Sequence, residues 1–341
     1  MSIGVLALLS SLFFANKKRK DYKKISKDDE ANFAEGISLQ VFTFEHRLEA
    51  TNGFKEELGR GASGTVFKGV MQNGKKMVAV KRLEKDFAQG EVEFQTELKT
   101  IGKMYHPVSH RNLVRLLGYC FDGDNKLLVF EYMSNGSLAD MLLNQEKRPN
   151  WEERMDIARD ISIGILYLHQ ECETQIIHCD IKPQNILMDD NWRAKISEFG
   201  LAKLLKQDQS NTYTEIRGTN GYVAPEWYQK QAITVKADVY SFGVMLLEII
   251  CCRKCVDYSR SEDEAILEEW VYECYAMEKI GSLVGDEMVE VRKVERMVKI
   301  GIWCVQYDPS LRPAMKKVLL MLEGTVEIPI PPNPISFSSS I

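Results

Sequence analysis

The sequence predicts an α+β fold in two lobes, a small strand-rich one followed by a larger helical one. Three observations point there. Between residues 58 and 132, short strand-like runs alternate with Gly and Asn turns. Beyond Tyr132, apolar residues recur at helical spacing, first as Ile157, Ala158, Ile161, Ile165 and Leu168. A loop carrying Gly59, Gly61 and Gly64 lies between two strand-like runs and opens no helix, which argues against a dinucleotide-binding fold. At 341 residues the chain is long enough for two lobes and a sizeable core.

The N-terminus differs in kind from the rest. An apolar run at 3–15 is followed by Lys17-Lys18-Arg19-Lys20 and Lys23-Lys24. A bilayer span needs roughly 17–25 residues, so the run is short even with snorkelling lysines. A signal peptide carries its charge before the apolar run, whereas here the charge follows. That order suits a membrane anchor at 1–16 with a cytoplasmic body. A signal-type segment, or a soluble or peripheral tail on a cytoplasmic protein, is the alternative. Residues 17–40 read as a basic juxtamembrane linker, with 17–24 able to meet a membrane surface, and no ectodomain is expected.

Further along, 45–52 suits a short helix that Gly53 ends. The run 58–83 is strand-like, with a turn at Asn73-Gly74. A helix is expected over 91–104, with Phe94, Leu98 and Ile101 on its apolar face. Short strands are expected at 113–119 and 127–132. Two more helical stripes follow: Phe242, Met245, Leu246 and Ile249, then Val294, Met297, Val298, Ile302 and Val305, closed by Pro309. These stripes read as core helices. From Pro329 the chain is Pro-rich, then Ser-rich, and reads as a disordered tail over 329–341. The folded domain is placed at 41–328, with the small lobe at about 52–132 and the large one at about 134–328.

Composition excludes some functions. The formal charge of −5 is mild and no basic stripe suggests nucleic acid. Eight scattered cysteines suit a reducing compartment. Cys252-Arg253-Lys254-Cys255 lacks a second ligand pair for structural zinc and reads as ordinary thiols.

The chemistry lies in a few short strings. Glycines in a hairpin let backbone approach phosphates closely. Val78-Ala79-Val80-Lys81 follows on a strand and supplies a lysine for the α- and β-phosphates, and Glu97 on the expected helix is spaced to pair with it. In His178-Cys179-Asp180-Ile181-Lys182-Pro183-Gln184-Asn185, Asp180 can orient an attacking hydroxyl and take its proton. Lys182 can steady the γ-phosphate and Asn185 can bind a metal.

With these strings the chain resembles a eukaryotic-type protein kinase, and more narrowly a plant receptor-like Ser/Thr kinase of the G-type lectin S-receptor-like group. The resemblance rests on F-E-Y-M-S-N-G-S-L (130–138), G-T-N-G-Y-V-A-P-E-W (218–227), D-V-Y-S-F-G (238–243), D-P-S-L-R-P (308–313) and A-T-N-G-F-K-E-E-L-G-R-G-A (50–62). It covers about 41–328 and implies a two-lobed protein-kinase fold with ATP in the cleft. Leu58, Gly59, Arg60, Gly61, Gly64, Val66, Ala79, Lys81, Glu97 and Leu187 would line the nucleotide site. Phe130 would be the gatekeeper, and Glu131 to Met133 the hinge that binds adenine. Mg2+, or Mn2+, would be held by Asn185 and Glu198, and proteins bearing Ser or Thr would be the substrates. Glu226 and Arg312 would tie the activation segment to the helical lobe. The lectin module of such relatives is not expected on this chain.

Three positions depart from the pattern. Cys179 stands where many kinases have an arginine that pairs with a phosphorylated activation-segment residue, so phosphorylation of Thr212, Thr214 or Thr219 is expected to act little through residue 179. Residues 104–110 form a longer connection than usual, which Pro107 makes a loop and which could disturb Glu97. Glu198-Phe199-Gly200 replaces Asp-Phe-Gly, so charge is kept while the metal-binding arm gains a methylene. Magnesium tolerates little slack in its geometry, and the alternative to an active kinase is an ATP-binding pseudokinase scaffold.

Overall fold

The small lobe begins earlier than its first strand-like run suggests. The computed structural model describes residues 39–334, apart from 62–63, 72–75, 84–87, 105–109, 123–124, 206–208, 213–215 and 286. The apolar run 3–15, the basic stretch 17–24, the Asn73-Gly74 turn and Pro107 therefore lie outside the described residues. From Gln40 onward the chain forms one unit. Strand β1 (Gln40–Val41) and helix α1 (Phe44–Ala50) open it, the helix capped by Thr43, whose side chain accepts from the His46 amide. Strands β2 (Glu57–Gly61), β3 (Gly64–Val70) and β4 (Met77–Arg82) follow, then helix α2 (Ala88–Lys103) and strands β5 (Leu116–Asp122) and β6 (Asn125–Glu131).

These strands make one sheet in the order β1-β5-β6-β4-β3-β2. All neighbours run antiparallel except β1, which lies parallel to β5. Gly118 makes that edge pairing possible: a Cβ there would stand 2.0 Å from the Gln40 carbonyl oxygen. Phe42, Val78, Val80, Cys120, Leu127 and Val129 fill the core of the lobe.

Two expectations need adjustment. The strand expected at 113–119 starts at Leu116. Residues 112–114 instead pair with Ile196 of the large lobe, Val114 N donating to Ile196 O at 2.9 Å and Ile196 N to Asn112 O at 2.9 Å. On α2, Phe94 is deeply buried, but Leu98 and Ile101 are only half-buried. The residues that turn inward beside Phe94 are Glu93, Glu97 and Thr100, because this face borders a polar cleft.

The large lobe is built around helix α6 (Lys236–Cys251), which is buried along almost its whole length, as its all-round apolar sequence requires. Ahead of it come α3 (Leu138–Leu143), α4 (Trp151–Leu166) and α5 (Pro225–Tyr228); after it come α7 (Leu267–Ala276), α8 (Val291–Cys304) and α9 (Met315–Leu322). Capping boxes start α3 at Ser137/Asp140 and α4 at Asn150/Glu153. The three apolar stripes expected of core helices are buried. Gly301 of α8 brings that helix close to α6, since a Cβ there would meet Leu247 at 2.4 Å. Two small two-stranded antiparallel sheets carry the site: β8 (Ile186–Met188) with β9 (Ala194–Ile196), and β7 (Ile176–Ile177) with β10 (Lys203–Leu204).

Residues 329–334, read from composition as the start of a disordered tail, are ordered. The Pro329 carbonyl accepts from Trp303 Nε1 and the Pro332 carbonyl from Gln306 Nε2, each at 3.0 Å, while Pro331 and Pro334 are buried. A proline-rich strand keeps its carbonyls free, and α8 and the turn after it supply the donors. All eight cysteines are free. Among the described residues, no helix is long and apolar enough to cross a membrane.

The expected Glu226–Arg312 pair is present and fully buried, with both guanidinium Nη atoms 2.8 Å from the two carboxylate oxygens. Arg312 also donates to the carbonyls of Gln306, Tyr307 and Lys236. Removing the cation would strand a buried carboxylate. Arg312→Met is expected to cost about 3–5 kcal/mol, read as a lowered denaturant midpoint at unchanged m-value.

Candidate active site

Strand register assembles the upper half of the cleft. In the β2–β3 hairpin, Gly61 faces Gly64, Arg60 faces Thr65 and Gly59 faces Val66; Val66 in turn faces Lys81 on β4. The glycine loop thus hangs beside the lysine, although Ala62 and Ser63 at its tip lie outside the described residues. Gly64 has φ +149°, and a Cβ on it would stand 2.3 Å from the Arg82 carbonyl, so only glycine fits. Ala79 pairs with Phe130 across β4 and β6, and Val66, Ala79, Phe130, Met133 and Leu187 are half-buried where the lobes meet. Leu58 and Arg60 are exposed at the rim. The Glu131 carboxylate is already occupied: it accepts from Arg115 N and from Lys195 Nζ of β9, each at 2.8 Å, which ties the end of β6 to the large lobe.

Lys81 is the polar centre of this half. Its ammonium lies 2.8 Å from Glu97 Oε2 and 2.9 Å from Glu198 Oε2. Burial alone would lower the pKa of Lys81, and the charges of Glu198 and Glu97 reverse that and hold it above its ordinary value. The lengthened connection after α2 has therefore not displaced Glu97. Phe199 is buried beneath α2, its amide donating to Glu97 Oε1 at 3.4 Å and its ring meeting His178 edge-on at 5.0 Å between centroids.

The lower half is a loop hung from one carboxylate. Asp238, buried in the first turn of α6, accepts from His178 N (2.8 Å) and Cys179 N (2.9 Å) and bonds His169 Nε2 (2.8 Å). His178 is wholly buried, and burial lowers its pKa. Cys179 sits at φ +68° with its thiol packed inside. Lys203 and Arg217 both bear electrostatically on Cys179, so an arginine there would join two existing cations.

Asp180, Lys182, Asn185 and Thr219 close into one cluster. Lys182 Nζ lies 2.8 Å from Asp180 Oδ2 and donates to Thr219 Oγ1 at 2.7 Å; Thr219 Oγ1 donates to Asp180 Oδ1 at 2.8 Å. Asn185 Nδ2 donates to both the carbonyl and Oδ2 of Asp180 at 2.8 Å. Burial would raise the pKa of Asp180, but Lys182 and Thr219 outweigh it and hold the carboxyl below its ordinary value. Asp180 is thus an ionised, oriented acceptor, with a lysine beside it to meet an anionic group.

Thr219 and Asp238 are the residues that sequence reasoning missed. Thr219 was read only as a candidate phosphorylation site, whereas its hydroxyl is engaged by Lys182 and Asp180. Both residues lie in strings already noticed, G-T-N-G-Y and D-V-Y-S-F-G, which gave the signal without the role. Tyr222 of the first string is anchored too, its hydroxyl 2.9 Å from both carboxylate oxygens of Glu248 on α6.

Glu198 adopts φ 67°, ψ 68°, the left-handed region that Asp and Asn enter more readily than Glu. The longer arm thus also sits on a less suitable backbone. As donors toward a metal, Asn185 offers Oδ1, its nitrogen being committed to Asp180, and Glu198 offers Oε1, its Oε2 facing Lys81. Two hard oxygen donors fit a small divalent cation that takes its other ligands from phosphates and water.

A two-lobed fold with this lysine–glutamate pair and this aspartate-centred loop belongs to one class. The chain is a member of the protein kinase domain family, whose pattern matches residues 53–321; that family uses ATP and a divalent metal. It is 52% identical over 311 residues to the G-type lectin S-receptor-like serine/threonine-protein kinase LECRK2 of Oryza sativa subsp. indica, covering 90% of this chain and 38% of that protein. It is 50% identical over 324 residues to LECRK3 of the same subspecies (94% and 39%) and 47% identical over 330 residues to RLK1 of Arabidopsis thaliana (95% and 39%). The chain therefore spans about two fifths of the length of these curated relatives.

If Thr219 bridges Lys182 and Asp180 as the geometry has it, Thr219→Val lowers kcat by roughly 10- to 100-fold, the worth of a hydrogen bond to a charged group, while Thr219→Ser retains most activity. Loss of that donor raises the pKa of Asp180, so the acidic limb of kcat against pH should move upward in the valine variant. A profile and rate matching wild type would remove Thr219 from the machinery.

Proposed function

We propose that this chain is an ATP-dependent protein serine/threonine kinase of the receptor-like class, transferring the γ-phosphoryl of ATP to Ser or Thr hydroxyls. The observation that carries the reading is the closed Asp180–Lys182–Thr219 cluster. Asp180 is held ionised and accepts the proton of the incoming hydroxyl. Lys182 steadies the transferring group, and the neighbouring Thr219 fixes both side chains. The backbone of Gly59, Gly61 and Gly64 and the Lys81 ammonium receive the phosphates. Adenine hydrogen-bonds to the backbone of 131–133 beside Phe130, with Leu58, Arg60, Val66, Ala79 and Leu187 around it, while Glu97 positions Lys81. Asn185 and Glu198 would hold Mg2+ or Mn2+, which when bound offsets charge on the phosphates. The N-terminal pattern supports a membrane anchor at 1–16 and a cytoplasmic catalytic domain.

A second reading, an ATP-binding pseudokinase scaffold, is favoured by the strained backbone and longer arm of Glu198. Autophosphorylation with magnesium and with manganese separates the two, run beside Asp180→Asn and Glu198→Asp. Wild type is expected to incorporate phosphate, Asp180→Asn to be silent, and Glu198→Asp to be faster by up to about 10²-fold, the scale of a misplacement near 1 Å. A wild type as silent as Asp180→Asn, yet rescued by Glu198→Asp, would replace the active kinase with the scaffold.

A further inference from the structure

The stretch 326–334 lies wholly beyond residue 321, where the family pattern ends. Every residue of 328–334 is a proline or stands directly before one. Proline fixes its own φ at about −65° and keeps the residue before it out of the α region, so this stretch is directed into polyproline II. That helix repeats every three residues and leaves its carbonyls unpaired. Both properties show in the way the segment docks. The carbonyls of Val326, Pro329 and Pro332 accept from Arg296 Nη2 (3.3 Å), Trp303 Nε1 (3.0 Å) and Gln306 Nε2 (3.0 Å). Ile328 packs against the large-lobe core and Pro331 and Pro334 are buried, whereas Pro329, Ile330 and Pro332 are exposed. Donors and acceptors advance together, so the segment runs parallel to α8. Gln306 is 1% exposed, and its amide nitrogen is shared between the carbonyls of Ile302 and Pro332. Without an occupant, one of its donor hydrogens would be buried with no acceptor.

We propose that the face of α8 from Arg296 to Gln306 is a recognition site for proline-rich segments in the polyproline II conformation, with residues 326–334 as its resident ligand in cis. The site reads an apolar residue followed by prolines three and six positions on, the pattern of Ile328, Pro331 and Pro334. Hydrogen bonds to the main chain set the register, and the pockets under the buried prolines set the selectivity. A segment whose conformation is fixed beforehand loses little entropy on docking. The tether supplies it at an effective concentration of roughly millimolar, so a segment in trans binds well only once the cis copy is displaced. None of these contacts involves a residue of the nucleotide site.

Fluorescence anisotropy on the full chain tests this, with a labelled peptide of residues 325–336 as the probe. In the double variant Pro331→Asp/Pro334→Asp, two carboxylates replace the buried rings and drive the cis segment off the groove. The peptide is expected to bind that variant roughly tenfold more tightly than wild type, whose own segment competes. Adding Trp303→Phe keeps an aromatic ring and removes the N–H, and should weaken binding about fivefold, the worth of one hydrogen bond. A peptide carrying Pro331→Ala and Pro334→Ala should bind much more weakly than one carrying Pro329→Ala and Pro332→Ala. Equal binding of those two peptides, or no binding to a double variant that still unfolds cooperatively, would overturn the proposal. A second measurement does without that variant: cleavage of the full chain after the exposed Glu327 by a glutamate-specific protease. Trp303→Phe alone should speed that cleavage about fivefold, because cutting tracks the undocked population. An unchanged rate would remove Trp303 from the site and the proposal with it.

Discussion

The carboxylate of Asp238 lies at the buried start of α6, where an uncompensated charge would cost several kcal/mol. Two backbone amides and a histidine satisfy it, and those amides belong to His178 and Cys179, the residues that lead into Asp180. Interactions with His169 and His178 favour its ionised form against the penalty of burial. The loop is therefore tied to the most buried helix of the protein and not merely laid on a surface. Cys179 can hold its left-handed backbone because the amide on one side is captured by Asp238, and the Gly218 backbone packs against its carbonyl on the other. The Asp180 cluster inherits its geometry from this anchor.

The same helix fixes the segment that faces the loop. Glu248, two turns or more beyond Asp238, accepts from Tyr222 and from Cys255 N, and Ser241 Oγ donates to the Tyr222 carbonyl. Burial pushes Glu248 up to about 7. Thr219 is thus delivered to Asp180 by a chain whose next residues are clamped to α6. Above the cleft the arrangement is looser in origin: a six-stranded sheet sets Lys81, and a helix outside that sheet sets Glu97. The pairing of 112–114 with Ile196, together with the Glu131–Lys195 ion pair, joins the sheet to the large lobe.

How much of this the sequence disclosed depends on how local each feature is. The glycine hairpin, Lys81 and the 178–185 string are short-range patterns, so each is legible in the sequence as a unit. Thr219 reaches Asp180 across 39 residues and Asp238 reaches Cys179 across 59, and nothing in either string says which partner it meets. The inward face of α2 misled a reading based on apolar spacing because the cleft it borders is charged. Gln40–Val41 adds to the sheet edge only because Gly118, far along the chain, leaves room for it. The docking of 329–334 likewise depends on two donors, Trp303 and Gln306, that composition of the tail cannot report.

Glu198 departs from the family in both length and backbone preference, and the surroundings show how far the departure spreads. Phe199 is buried against His178, its amide meets Glu97, and Gly200 lies against α2, where a Cβ would approach Glu93 at 3.2 Å. A substitution that forced the segment aside would have broken at least one of these contacts. The strain is instead held at one residue, whose left-handed conformation costs of order 1 kcal/mol more for a longer side chain than for aspartate or asparagine. Its carboxylate reaches Lys81, with Oε2 2.9 Å from the ammonium. The consequence is confined to the position of one carboxylate, so the fold and the hydrogen-bonded cluster around Asp180 are insulated from it.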